Sequence, residues 1–278
     1  MRAHPSRVSV LLALVGALLI AVPGSAIRAA DEQPLMPAGW TSPLRIALAA
    51  VSPEGLTDTL VESVAATTEP AAARLPGCEY KDKLTRFHKV RDWRKTLLDT
   101  ILRVKKSYKP WDLVSVSRAN IAGSGLVRKV IIADLKAMAA AARRAGKPLA
   151  VRSAYRSYST QVATFNSWVD RSGYQQALKF SARPGHSEHQ LGTTVDFTTA
   201  PGVPLSTSFG ESAPGKWVAK HGWKHGFIMS YPKGRKKASC YGYEPWHWRY
   251  VGKKMARAIH ESGQVPRRYL WENYESSP

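Results

Sequence analysis

Two short segments of the chain carry side chains that could together bind a metal ion for hydrolysis. His189 and Asp196 lie seven residues apart, and Gly192 between them permits a sharp reversal of the chain. His247 offers a third ligand from a distant segment. A hydrolytic zinc takes three ligands from histidine and carboxylate side chains and leaves a fourth position for water. Glu244, three residues before His247, could take that water's proton.

The residues around these candidate ligands argue for the metal site without deciding it. Asp196 stands between Val195 and Phe197 in an apolar stretch, and His247 lies between two tryptophans. A buried carboxylate costs several kcal/mol unless it is paired or bound to a metal. Most histidines are structural or exposed, and the chain has eight. The residues alone therefore leave a metal site and a set of paired buried polar groups both open.

The elements that must position these side chains alternate between helical and extended patterns. Apolar spacing predicts helices over 93–102, 130–145, 160–169, 216–225 and 252–262. A buried strand is predicted over 149–153, and further short strands are predicted over 193–198, 227–231 and 246–251. We expect an α+β fold in which a small antiparallel sheet carries its helices on one face.

The first 75 residues differ in composition from the rest of the chain. Residues 1–26 have a basic start, an apolar run of about 15 residues and a small-residue cleavage site, which is typical of a secretory signal peptide. An uncleaved anchor is the alternative, but the run is shorter than the ~20 residues of a spanning helix. Residues 27–75 are rich in Ala, Pro, Thr and Ser, and we interpret them as a tether of low order. The catalytic domain is predicted to cover 76–278.

The chain has two cysteines, Cys78 and Cys240. An even count in an exported protein favours one disulfide, with two unpaired thiols as the alternative. No CxxC pair is present, which argues against a cysteine metal site.

The formal net charge of +21 predicts attraction to polyanions. Removal of residues 1–26, which hold Arg2 and Arg7 and no acid, would leave about +19. No nucleic-acid-binding module or basic helix is recognisable, so we expect no nucleic-acid partner. Anionic wall polymers and lipid headgroups are the polyanions that an exported bacterial protein meets, and a merely soluble basic surface is the alternative.

The candidate residues resemble the VanY-type D-alanyl-D-alanine carboxypeptidases, within a wider fold group that includes lysostaphin-type peptidases and hedgehog signalling domains. The shared pattern is Ser-x-His-x-x-Gly-x-Ala-x-Asp, followed downstream by Glu-x-x-His. The residues that match it are Ser187, His189, Gly192, Asp196, Glu244 and His247. Thr194 replaces the usual alanine. Stretches 153–157 and 183–190 match as well, and the resemblance is strong over about 148–252.

The resemblance implies that His189, Asp196 and His247 bind Zn²⁺ and that Glu244 is the catalytic base. It implies that Arg156 grips a terminal carboxylate with two hydrogen bonds or stabilises the developing oxyanion. A structural ion pair is the alternative for Arg156.

Three further residues are expected near the substrate. Ser187 would hydrogen-bond the substrate or orient the metal-binding loop. Gln161 and Ser157 would line the pocket, and the alternatives for them are a solvated glutamine and a helix-capping serine.

The implied activity is zinc-dependent hydrolysis of the terminal D-Ala-D-Ala bond of peptidoglycan stem peptides, by a secreted protein associated with the cell wall. An L,D-carboxypeptidase or a peptidoglycan endopeptidase could use the same metal site. A non-catalytic, zinc-stabilised wall-binding module is a third hypothesis. The carboxylate of Glu244 argues against it, because a binding module needs no base.

Overall fold

A computed structural model describes residues 74–276. The predicted signal peptide and nearly all of the predicted tether lie outside the described residues. None of the helices within 74–276 combines the length and the apolar character that crossing a membrane requires. The helices are α1 (Ile132–Arg144), α2 (Tyr158–Ser172), α3 (Tyr174–Phe180), α4 (Ala213–His221), α5 (Lys236–Ser239), α6 (Lys253–Ser262) and α7 (Pro266–Leu270).

The strands are β1 (Lys83–Leu84), β2 (Leu102–Arg103), β3 (Leu113–Ser115), β4 (Ala122–Gly123), β5 (Leu126–Arg128), β6 (Ala150–Ser153), β7 (Thr194–Thr198), β8 (Phe227–Met229) and β9 (His247–Tyr250). A five-stranded sheet in the order β4-β6-β7-β9-β8 forms the centre of the fold. Its pairs are antiparallel except β4 with β6, which run parallel at one edge of the expected antiparallel sheet. Two two-stranded sheets, β1 with β2 and β3 with β5, lie outside it.

One face of the central sheet packs against helices and forms the main core. Val195 and Phe197 of β7 and Trp248 of β9 join a buried cluster with α1. Helix α1 contributes residues 135, 138, 139 and 142, the spacing that puts four side chains on one helical face. The α+β expectation, with helices packed on one face of a small sheet, is confirmed.

The opposite face of the same strands carries the candidate ligands. Successive side chains of a strand alternate between faces, so Asp196 points away from its core-facing neighbours. Asp196 pairs directly with His247 across β7 and β9. On the other side of β7, the register with β6 shifts between Val151 and Ser153, which is a bulge beside Asp196. Bulges of this kind redirect the chain near functional sites.

The helix predicted over 93–102 is wrong. After a 3₁₀ turn at Val90–Asp92 the chain is irregular until β2. The carboxylate of Asp99 accepts the backbone N–H groups of Ile101 and Leu102 at 2.7 and 2.6 Å, and such local bonds compete with a helix. The apolar side chains of this stretch are buried in three separate clusters, so no single helical face could serve them.

Candidate metal centre

His189, Asp196 and His247 converge on one buried point. Each offers one ligand atom, and these three atoms lie within 4.8 Å of one another. His189 Nε2 is 3.3 Å from Asp196 Oδ2, and His247 Nδ1 is 3.4 Å from Asp196 Oδ1. The two imidazole rings are nearly perpendicular, with centroids 5.0 Å apart. The structure therefore brings together the three residues that were predicted as ligands.

The ring of His189 is oriented by a backbone carbonyl. Its Nδ1 lies 2.6 Å from the carbonyl oxygen of Ala154, which can only accept, so Nδ1–H donates. Nε2 then carries the lone pair and faces Asp196. His189 belongs to a 3₁₀ turn, Glu188–Leu191, that ends at Gly192 with φ of 71°. A side chain at Gly192 would adopt a strained conformation and press against Arg128, so glycine is needed to close this turn.

The ring of His247 is oriented by a carboxylate that the sequence analysis did not single out. His247 Nε2 lies 2.9 Å from Glu188 Oε2. The other ring nitrogen, Nδ1, faces Asp196 and lies 3.6 Å from Glu244 Oε2. Nδ1 is therefore the atom of His247 that is placed to bind a metal.

The donor set fits a zinc ion. Asp196 Oδ1 is buried and has no hydrogen-bond partner, although a buried carboxylate oxygen needs one. Burial by itself raises the pKa of Asp196, but the two imidazoles lower it well below its usual range. Burial lowers the pKa of His247, yet the neighbouring carboxylates of Asp196 and Glu188 raise it to about 10. Two imidazole nitrogens and one carboxylate oxygen thus meet at this point, and these are zinc ligands.

Glu244 lies beside the predicted ligands on the loop before β9. Its backbone N–H donates to the carbonyl of Tyr231, which holds the loop against the end of β8. Burial raises the pKa of Glu244 to about 7, although His247 opposes the shift. A carboxylate with a pKa near neutrality can both take up and release a proton at physiological pH.

Arg156 lies at the same site, after the bulged strand β6. Its backbone N–H donates to the carbonyl of His189, and its Nη1 donates to Gln161 Oε1 at 2.9 Å. Burial lowers the pKa of Arg156, and the negative charges of Asp196 and Glu244 raise it. Within 74–276 no carboxylate lies at ion-pair distance from its guanidinium, so the ion-pair alternative has no partner there.

Gln161 and Ser157 occupy different surroundings. Gln161 is fully buried, and its Nε2 donates to the carbonyl of Ala182 at 2.7 Å and to Ser181. It therefore holds Arg156 and is not solvated. Ser157 caps α2, because its hydroxyl accepts the backbone N–H of Thr160 at 3.1 Å. The hydroxyl of Ser157 thus has the helix-capping role that was the alternative to lining the pocket.

Ser187 is buried at the start of the ligand-bearing turn. Its carbonyl accepts the N–H of Gln190, and its hydroxyl has no hydrogen bond to any described residue. A substrate contact for Ser187 remains a prediction.

A buried charge network behind His247 was missed at the level of sequence. Glu188 accepts from Ser230 Oγ at 2.6 Å and from Arg249 Nη1 at 2.9 Å, in addition to His247. Burial raises the pKa of Glu188, but Arg249 and the two other donors lower it to about 2. One signal was present in the sequence: Arg249 stands in the middle of a buried strand and needs a counter-charge.

Fold and site together define an α+β protein in which three residues that could hold one metal ion adjoin a further carboxylate, the arrangement of hydrolytic zinc sites. Residues 124–253 match the model of the VanY family, described as D-alanyl-D-alanine carboxypeptidase. Among solved structures, the LdcB LD-carboxypeptidase has a TM-score of 0.60 and 32% identity, over 70% of this chain and 98% of that chain. The chain belongs to the VanY family.

Other relatives agree with this assignment. The putative carboxypeptidase YodJ of Bacillus subtilis (strain 168) is 41% identical over 145 residues, which are 52% of this chain and 53% of that protein. A variant of the vancomycin-resistance D,D-pentapeptidase VanY, in complex with Zn(II), has a TM-score of 0.55 and 26% identity, over 64% of this chain and 99% of that chain. The chain spans between about a third and somewhat more than half of the length of these curated relatives; the share is 35% for the D-alanyl-D-alanine carboxypeptidase of Enterococcus faecium.

Proposed function

We propose that the protein is a zinc-dependent carboxypeptidase that removes the terminal D-alanine from peptidoglycan stem peptides ending in D-Ala-D-Ala. One observation carries the proposal: the three buried ligand atoms converge beside Glu244, whose Oε2 lies 3.6 Å from His247 Nδ1. The family assignment supports the substrate class.

The chain's own residues supply proton transfer and charge at the site. Zn²⁺, when bound, supplies Lewis-acid chemistry that activates water and polarises the scissile carbonyl. Glu244 Oε2 takes the proton of the attacking water and delivers it to the leaving amine of D-alanine. Its raised pKa suits both transfers, because a base that is too weakly basic could not accept the proton and one that is too strongly basic would not release it.

Arg156 provides the positive charge that restricts the site to a free chain end. Gln161 fixes one arm of the guanidinium from behind, and Gln161 is itself fixed by the carbonyl of Ala182. The remaining N–H groups can donate two parallel bonds to the substrate's terminal carboxylate. A substrate amidated at its C-terminus should therefore bind more weakly.

The direct test is hydrolysis of a defined pentapeptide that ends in D-Ala-D-Ala, followed by mass spectrometry. The zinc-loaded protein should release one D-alanine, whereas Glu244→Gln should not. The same peptide with an amidated C-terminus is the matched substrate control. Release of D-alanine by Glu244→Gln at the wild-type rate would overturn the proposed role of Glu244.

An L,D-carboxypeptidase is the second candidate function, and one observation favours it. The LdcB LD-carboxypeptidase is covered over 98% of its chain at 32% identity. Its reaction would use the same ligands and Glu244 on a tetrapeptide with a single terminal D-alanine. Offering pentapeptide and tetrapeptide in separate reactions separates the two functions, because the D,D-reaction shortens the pentapeptide to a tetrapeptide and the L,D-reaction shortens the tetrapeptide to a tripeptide.

We propose further that the protein acts outside the cytoplasm, on the wall, and that its basic surface holds it near anionic wall polymers. Residues 213–265 carry ten exposed lysine and arginine side chains and a single exposed acid, Glu261. Sedimentation with purified walls, before and after removal of their anionic polymers, tests this attraction. Binding that persists after removal and is insensitive to salt would contradict it.

A further inference from the structure

Glu188 is fully engaged by three donors in the interior. Its Oε2 accepts from both His247 Nε2 and Ser230 Oγ, and its Oε1 accepts from Arg249 Nη1. Among the side chains that the structure describes, Glu188 is the only hydrogen-bond partner of His247 Nε2, at 2.9 Å. Glu188 is thus a carboxylate next to the site that does not point at the ligand cluster.

Arg249 holds this carboxylate from the side opposite the ligands. It is completely buried, and its Nη2 donates to the backbone carbonyls of Trp93 and Thr96 at 2.9 and 2.6 Å. These carbonyls belong to the irregular segment between the first 3₁₀ turn and β2. The guanidinium therefore cannot shift without breaking bonds to two fixed backbone groups, and the position of Glu188 is fixed with it.

The consequence for His247 is a defined tautomer. A neutral imidazole carries its proton on one nitrogen only, and in His247 that nitrogen is Nε2, because its 2.9 Å distance to Glu188 is shorter than the 3.4 and 3.6 Å from Nδ1 to Asp196 and Glu244. With Nε2–H donating to Glu188, the lone pair is on Nδ1, the atom that faces Asp196. A carboxylate behind a metal-binding histidine also increases the basicity of the ligand nitrogen.

The same short turn positions the other imidazole. Glu188 and His189 are adjacent in the turn Glu188–Leu191, so one backbone element orients both rings. Thr194, which stands where the family pattern has alanine, is fully buried and donates its hydroxyl to the carbonyl of Glu188 at 3.1 Å. The replacement therefore adds a hydrogen bond that ties β7 to this turn.

We propose that Glu188 is a positioning residue, anchored by Arg249, which fixes His247 with Nδ1 as its metal-binding atom and so sets the affinity of the site for zinc. The inference rests on the metal site in the proposed function, but it does not depend on which peptide is cleaved. Thr194 has a smaller, supporting part, because it fixes the backbone of the turn and does not touch the ring.

The test measures zinc affinity by competition with a chelator. Single loss of Glu188 would leave Arg249 buried without its counter-charge and could unfold the protein. The variants are therefore paired: Glu188→Gln with Arg249→Met keeps a neutral acceptor, and Glu188→Leu with Arg249→Met removes it. Zinc should bind about 10–100-fold more weakly to the leucine pair than to wild type, and the glutamine pair should lie between the two.

The absorption spectrum of the Co²⁺-substituted protein provides a readout that a merely structural role would not move. It should change in the leucine pair, where the His247 ring is released, and kcat should fall while KM stays near that of wild type. The matched control is Asp99→Asn with Arg267→Met, another buried pair with a 2.6 Å bond, and it should leave zinc affinity unchanged.

Wild-type zinc affinity and cobalt spectrum in the folded leucine pair would overturn the proposal. Equal loss of affinity in the Asp99 control would overturn it too, because the effect would then be general loosening. If the wild-type protein binds zinc with Glu188-dependent affinity but cleaves no stem peptide, the proposed function fails and this inference stands.

Discussion

Two of the buried carboxylate–arginine pairs in the described chain, Glu188–Arg249 and Asp99–Arg267, share the same chemistry and serve different ends. Their ion-pair distances are 2.9 and 2.6 Å, and all four side chains are almost completely buried. In both, the arginine also donates to backbone carbonyls from distant parts of the chain. Burial and pairing alone therefore do not reveal which pair belongs to a functional site.

The two pairs differ in the groups that donate hydrogen bonds to the carboxylate besides the arginine. Asp99 gives its second oxygen to the backbone N–H groups of Ile101 and Leu102, so both its oxygens are used within structure. Arg267 reaches the carbonyls of Pro76 and Ala238, near the two ends of the Cys78–Cys240 disulfide. This pair fastens the start of the described chain to the loop before Glu244.

Glu188 instead accepts a hydrogen bond from His247 Nε2. The other ring nitrogen, Nδ1, faces an unpartnered oxygen of Asp196. This chain of contacts therefore ends at Asp196 Oδ1, which has no hydrogen-bond partner among the described residues. Unsatisfied buried acceptors are rare in folded proteins. The comparison teaches that the functional carboxylate leads, through His247, to an unpartnered oxygen of Asp196, whereas both oxygens of the structural carboxylate Asp99 are filled.

The largest effect is expected at Glu244, which lies beside the candidate metal ligands. Glu244→Gln should lower kcat by about 10²–10⁴-fold, the range that general-base catalysis supplies. Zinc content should stay at the wild-type level, because Glu244 is not among the three ligands. Steady-state kinetics with metal analysis checks both, and a parallel loss of zinc would show that Glu244 helps to hold the ion.

The second largest effect is expected on stability, when the Asp99–Arg267 pair is broken. Arg267→Met leaves Asp99 buried without its ion-pair partner, and such losses reduce the free energy of unfolding by about 3–5 kcal/mol. Urea denaturation of the metal-free protein measures it. The zinc affinity of the folded variant should equal that of wild type. Weaker zinc binding would mean that the two pairs are coupled, and the comparison would fail.

Removal of the disulfide should have a somewhat smaller effect in the same region. The disulfide predicted between Cys78 and Cys240 is confirmed and joins residues separated by 162 positions. Replacement of both cysteines by serine should destabilise the fold by about 2–4 kcal/mol, below the ~5 kcal/mol that chain entropy allows for so long a loop. Thermal unfolding with and without reductant provides the measurement, and reductant should not affect the serine variant.

The smallest expected effect is a shift of the acidic limb of the pH profile of kcat/KM to a higher pH. The base must be ionised to accept a proton, so kcat/KM should fall as pH drops through the pKa of Glu244. Burial raises that pKa to about 7 without metal, and the charge of bound zinc must lower it. We expect the acid limb between the usual 4.5 and 7. Zinc content at each pH is the control, and a limb below 4.5 at full zinc content would contradict the role of burial.

Local patterns were sufficient for the elements around the site. The stripe at residues 135, 138, 139 and 142 predicted α1, and the strand predicted over 193–198 is β7. The pattern failed over 93–102, where apolar residues recur with a helical period but pack into three clusters. Periodicity reports which side chains are apolar, and it cannot report whether they face one partner or several.

The residue types and spacings made His189, Asp196, His247 and Glu244 candidates for one site, with paired buried polar groups as the alternative, and the resemblance to the VanY family gave these residues their expected roles. Only the tertiary structure decided how those groups are oriented. Glu188 and Arg249 are 61 residues apart, and nothing local pairs them. Which nitrogen of His247 is available to a metal depends on that long-range contact, so it is settled only when β9 and the turn before β7 pack together.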